Sequence, residues 1–89
     1  MIARRFTVHG RVQGVGFRFF LHERAALEGL AGWARNAGDG TVEAEVEGER
    51  EAVERFERGL HHGPAGARID SVEVTDVAPE GRRGFEIRR

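Results

Sequence analysis

The sequence predicts an α+β fold in which two amphipathic helices cover one face of a mainly antiparallel sheet. Three observations lead there. Short segments alternate apolar and polar residues with period two, as half-buried strands do. Two longer segments repeat apolar residues at helical spacing. Glycine-bearing turns separate these segments, in the order strand, helix, strand, strand, helix, strand, with one short strand more at the end.

In Arg5–His9, Phe6 and Val8 alternate with Thr7 and His9, which gives a first strand with one apolar face. After the glycine-rich stretch GRVQGVGFR, Phe17, Leu21 and Ala25 recur every fourth residue, and Phe20 and Leu27 stand seven apart. That spacing predicts a helix from Phe17 to about Glu28, stopped by Gly29. LAGWARN reads as the second strand, and AGDG as a turn whose Asp-Gly pair tolerates positive φ. In TVEAEVEG, Val42, Ala44 and Val46 fall on a buried face, with Glu43, Glu45 and Glu47 on a solvated one. Glu49–Leu60 predicts the second helix through Val53, Phe56 and Leu60, with Glu51–Arg55 and Glu54–Arg58 as i,i+4 pairs outside. RIDSVEVTDVA is a strand carrying Val72 and Val74 inward, Pro79–Arg83 turn the chain, and GFEIRR is the short last strand. The order is βαββαβ plus a fifth strand, the split-βαβ, ferredoxin-like plan, in a single domain over residues 1–89.

Composition narrows the function classes. The net charge of −1 offers no basic excess for nucleic acid, and no apolar run approaches the ~20 residues of a membrane span. The N-terminus MIARRF lacks a signal peptide's apolar stretch, so a cytosolic location is the default expectation. Cysteine is absent, which excludes thiolate nucleophiles and disulfides. Every one of the 14 basic residues is arginine, a bias better assigned to GC-rich codon usage than to heat adaptation, which enriches lysine. A chain this sparing of carboxamides has one glutamine, Gln13, and one asparagine, Asn36, each in a glycine-rich stretch.

The glycine-rich stretch joins the first strand to the first helix. Gly10, Gly14 and Gly16 open backbone conformations closed to other residues and keep side chains out of a ligand's path. Successive N–H groups can converge there on an anion. The helix beginning at Phe17 adds unpaired N–H groups and the positive end of its dipole. Arg18 adds a permanent planar fork matched to two phosphate oxygens. Together these make a phosphate cradle; a glycine-rich turn without a ligand is the competing reading. The stretch is no Walker A loop, because no Gly-Lys-Ser/Thr follows, and no dinucleotide fingerprint, because the third glycine is missing. Leu30, Gly32, Ala34 and Asn36 share one strand face, and Asn36 stands where that face ends. On spacing alone, Asn36 equally suits the turn that follows it.

GRVQGVGFR followed by GWARNAGDGTVE resembles the two signatures of the acylphosphatase family, and the likeness spans the chain in length, element order and motif spacing. The resemblance implies hydrolysis of the carboxyl–phosphate bond of acyl phosphates to a carboxylate and inorganic phosphate, on a five-stranded sandwich, with no required metal or cofactor. It assigns phosphate binding to Arg18, orientation of the attacking water to Asn36, and the cradle to the backbone amides of Arg11, Val12, Gln13, Gly14, Val15 and Gly16. The chemistry agrees. A carboxylate is a good leaving group, phosphoryl transfer asks mainly for positioning and charge stabilisation, and the expected site contains no side-chain nucleophile. A carboxamide can orient water through its carbonyl and amide but is too weak a base to deprotonate it.

The remaining polar residues have plainer expectations. His9 and His22 face solvent, and His61 and His62 follow the second helix, where histidine suits the dipole. No metal-ligand cluster is evident. Trp33 lies opposite the face of Asn36 and covers the open side of the sheet, with Arg35 beside it. Two other classes remain open on sequence: a non-catalytic anion-binding or regulatory module of the same plan, and an RNA-binding sheet, against which Glu43, Glu45 and Glu47 count. A stand-alone monomeric enzyme acting on a small molecule, with no nucleic-acid or membrane partner, is the expectation.

Overall fold

The computed structural model describes residues 1–89. Its elements run β1 (Ile2–Arg11), α1 (Phe17–Glu28), β2 (Ala31–Asn36), β3 (Val42–Gly48), α2 (Arg50–His62), β4 (Arg68–Val77) and β5 (Phe85–Arg88). The five strands form one sheet in the order β4-β1-β3-β2-β5. Only the β2–β5 pairing is parallel. The expected α+β plan, two helices against a mainly antiparallel sheet, is therefore the observed one.

The core lies between sheet and helices. Phe6, Val8, Ala34, Val42, Ala44 and Val46 point from the strands toward Phe17, Leu21 and Ala25 of α1 and Ala52, Val53, Phe56 and Leu60 of α2. Phe6 and Phe56 meet at 5.9 Å between ring centroids, tilted by 41°. Period two on the strands and helical spacing on the helices thus bury one shared set of side chains.

Several local expectations are corrected. β1 is longer than Arg5–His9 because it pairs on both sides, with β3 and with β4. Gly10 and Arg11 consequently belong to the strand rather than the loop. Gly10 is required there by a close approach: at φ +135°, beside a register shift after His9, a Cβ would run into the Arg68 carbonyl of β4. Leu27, counted in the helical pattern, is exposed on α1. α2 continues through His61 and His62, which form its last turn instead of following it. Neither i,i+4 ion pair of α2 forms, because the Arg55 Nε donates across to Glu28 on α1 at 2.7 Å. On β4, Val72 is half-buried and Val74 is exposed, because this edge strand runs beyond the cover of the helices.

The largest correction concerns the acidic face of β3. Glu45 and Glu47 are buried, at 6% and 4% exposure, not solvated. The connection from β4 to β5 crosses the open face of the sheet above them. Glu47 accepts hydrogen bonds from the backbone N–H groups of Glu80, Gly81 and Arg82 at 3.1, 2.9 and 3.2 Å. The Arg82 guanidinium stands 3.6 Å from Glu45. Only Glu43 behaves as a partly solvated strand residue, held by Arg35 at 2.6 Å and Arg5 at 3.6 Å. Trp33 covers this open face as expected and is itself covered by the guanidinium groups of Arg5, Arg35 and Arg88, 4.9 to 5.9 Å from its ring centroid.

Gly32, on β2, sets a steric limit on the sheet. At φ +153° its missing Cβ would collide with the Glu45 carbonyl of β3. Gly32→Ala is expected to destabilise the fold by roughly 3 kcal/mol, through forced separation of two central strands. Urea unfolding of the variant reads this directly, and an unchanged midpoint would show that the strands part freely at that point.

Candidate active site

β1 and α1 are joined by residues 12–16. Two of its residues, Gly14 at φ +76° and Gly16 at φ +75°, are left-handed, and neither would meet another atom through an added Cβ. The space above them is open. Gly16 is the N-cap of α1 and supplies no side-chain cap, and the first turn carries no acidic residue. The first N–H groups of α1 therefore lack the usual side-chain partner, and the helix dipole there faces no fixed negative charge.

The opening is a cleft of about 100 Å³ lined by Val12, Gly14, Gly16, Phe17, Arg18, Phe19 and Asn36. Arg18 is the only charged residue in that lining. Its Nη1 donates to the Arg88 carbonyl of β5 at 3.1 Å, so the guanidinium is anchored from one corner. Asn36 reaches the cleft as the last residue of β2, half-buried on the helix side of the sheet beyond Ala34. β3 separates β1 from β2, yet both strands end beside the start of α1.

Gln13 and Asn36, singled out in the sequence, belong to one local construction. The Gln13 Nε2 donates to the carbonyls of Ala37 and Thr41 at 2.8 and 2.9 Å. The turn after Asn36 is closed by the Ala37 N–H on the Thr41 carbonyl at 2.8 Å and the Gly40 N–H on the Ala37 carbonyl at 3.2 Å. Asp39 accepts from the Thr41 hydroxyl at 2.6 Å and from its backbone N–H at 3.1 Å. These bonds, the hydroxyl's first, hold the Asp39 carboxyl below the usual carboxylate range. Gln13 therefore ties the glycine loop to the turn that carries Asn36. Gln13→Ala leaves the part-buried Ala37 and Thr41 carbonyls without these bonds and should lower unfolding free energy by about 1–2 kcal/mol, measured by urea titration.

The structure brings Val12, Gly14, Gly16, Arg18 and Asn36 together around one opening. Arg11 is the exposed last residue of β1 and, like Gln13 and Val15, does not line the cleft. Two groups at this opening are not anticipated by the sequence reading. The Arg88 carbonyl is a backbone group with no side-chain signature, 70 residues from its donor. Phe19 falls outside the stripe of Phe17, Leu21 and Ala25, and that offset was the available signal. The histidines lie elsewhere: His9 pairs with Glu73 at 2.6 Å, and His22 is exposed on α1 against the edge of the Phe85 ring.

A ferredoxin-like α/β sandwich with a left-handed glycine loop, an arginine at the first turn of the first helix and an asparagine at the end of the second strand defines a narrow class of small enzymes. Comparison with known proteins fixes which. The acylphosphatase family model matches residues 4–87. The acylphosphatase of Anaeromyxobacter dehalogenans is 52% identical over 88 residues, covering 98% of this chain and 95% of the relative. The crystal structure of acylphosphatase from Bacillus subtilis superimposes with a TM-score of 0.97 at 38% identity, covering 100% of both chains. The crystal structure of HypF from T. kodakarensis is similar over 99% of this chain but only 12% of its own length, at 39% identity and a TM-score of 0.87. The chain belongs to the acylphosphatase family and is a hydrolase of acyl phosphates. No helix is long and apolar enough to cross a membrane.

Proposed function

We propose that the cleft between residues 12–18 and Asn36 holds the phosphoryl group of an acyl phosphate and that water attacks phosphorus directly. The convergence of Gly14, Gly16, Arg18 and Asn36 on one opening carries this reading. Backbone N–H groups of the loop and of the first turn of α1 take the phosphoryl oxygens. The Arg18 fork, steadied by the Arg88 carbonyl, holds the negative charge of those oxygens in place as the mixed-anhydride P–O bond to the carboxylate lengthens. Asn36 accepts a proton-bearing O–H of water on its side-chain oxygen and donates its amide to the water or to phosphate.

In the chemical step a bond forms from the water oxygen to phosphorus. The bond from phosphorus to the acyl oxygen breaks, and its electron pair leaves on the carboxylate. The extra proton passes from the attacking water to a phosphoryl oxygen, since no side chain of the cleft is a competent base. A carboxylate needs no protonation to depart, which is why the site works by holding and charge complementarity rather than by acid–base exchange. The products are a carboxylate and inorganic phosphate.

Hydrolysis of benzoyl phosphate, with inorganic phosphate as a competitive inhibitor, tests the assignment. Phosphate binding without turnover would instead make the chain a non-catalytic anion-binding module. Inhibition by phosphate that is noncompetitive would place the anion elsewhere than in this cleft.

A further inference from the structure

Phe19 has no place in the core and none in phosphate binding. Its neighbours in sequence, Phe17 and Phe20, pack inward and meet edge to face at 6.1 Å. Phe19 instead stands 70% exposed on the first turn of α1, one residue after Arg18, and its residue lines the same cleft as Gly14, Gly16 and Asn36. No other phenylalanine, and not Trp33, is left so exposed. Leu27, the other large apolar residue exposed on α1, lies two turns further along the helix and does not line the cleft.

The phosphoryl end of the substrate is taken by polar backbone and Arg18, so the acyl end must extend from the opening. No acidic residue lines that opening, and Arg18 is committed to the phosphoryl group. We propose that Phe19 is the acyl-side contact of this site and that it biases the enzyme toward acyl phosphates with an aromatic or extended apolar acyl group over those with a two-carbon one. The inference rests on the acyl-phosphate reading of the same cleft. An aryl group laid against the exposed ring covers apolar surface that water otherwise wets, and offset or edge-to-face ring contact adds to it. An acetyl group is too short to cover the ring. Inorganic phosphate has no acyl part and so does not touch Phe19 at all.

The test compares kcat/KM for benzoyl phosphate and acetyl phosphate in the parent chain, Phe19→Ala and Phe19→Leu, alongside the inhibition constant of phosphate. Phe19→Ala should lose about fivefold on benzoyl phosphate, the scale of one aromatic contact, and less than twofold on acetyl phosphate. Phe19→Leu should recover part of the benzoyl loss, and phosphate inhibition should stay constant across all three. Equal losses on both substrates, or no loss on either, would overturn the assignment of Phe19. Failure of the parent chain to hydrolyse either substrate is a separate result and would overturn the acyl-phosphate reading itself.

Discussion

Replacing Arg18 by alanine is expected to lower kcat/KM by about 10²–10³, equivalent to roughly 3–4 kcal/mol of transition-state stabilisation. Arg18 is the only charged side chain lining the cleft, so nothing nearby substitutes for it. Its geometry matters as much as its charge. One amino group is held by the Arg88 carbonyl at 3.1 Å, which leaves the rest of the planar fork aimed and partly ordered before substrate arrives. Arg18→Lys keeps a positive charge but cannot hold that carbonyl and two phosphoryl oxygens in one plane. It should therefore lose much of both phosphate affinity and rate. Steady-state kinetics with phosphate inhibition on the folded variants read both effects. Near-normal turnover in Arg18→Ala would take the arginine out of the site.

Asn36→Ala should lower kcat strongly while phosphate still inhibits with nearly the parent constant. The glycine loop, the first turn of α1 and Arg18 all remain, so the ground-state binding of the anion is kept. On the proposed mechanism only the orientation of water is lost, and an interaction made mainly in the transition state appears in kcat. Asn36 sits half-buried at a strand end and makes no side-chain hydrogen bond within the protein, so the stability cost should be about 1 kcal/mol or less. Asn36→Asp sharpens the distinction. It is nearly isosteric but sets a carboxylate beside an anionic phosphoryl group, so it should weaken phosphate binding as well as rate. A phosphate titration of the two variants separates the cases: preserved affinity in the alanine variant, reduced affinity in the aspartate one. Full activity in Asn36→Ala would return this residue to the turn that Gln13 and Asp39 already organise.

Most of the element plan and the residues around the cleft were legible in the sequence, for identifiable reasons. Phe6, Val8, Val42, Ala44 and Val46 alternate because one face of each strand meets the helices, and that pattern is local. Gly14 and Gly16 mark left-handed backbone that few other residues adopt. The failures have the opposite character. Glu45 and Glu47 alternate like a wet strand face, but a connection more than thirty residues away folds over them, with backbone donors for Glu47 and the Arg82 guanidinium beside Glu45. Alternation reports that two faces differ; it does not report what covers the second one. Helical spacing pairs Arg55 with Glu51, yet Glu28 of the neighbouring helix offers a partner that spacing within one helix cannot reveal. Val74 follows the inward pattern of β4, but only the sheet order shows that β4 lies at an edge.

The anchoring of Arg18 by the Arg88 carbonyl has a consequence for the order of folding. That bond joins groups 70 residues apart, whereas Gln13 reaches partners 24 and 28 residues away. Closing the longer loop costs more chain entropy, and the parallel β2–β5 pairing that carries Arg88 is the kind of long-range contact that slows folding. The glycine loop and the turn of Asn36 can thus be joined while Arg18 still swings free. A ligand that needs the aimed arginine binds the finished chain far better than its precursors and draws the equilibrium toward it. Inorganic phosphate, the reaction's own product, is therefore expected to act as a ligand that rewards completion of the sheet.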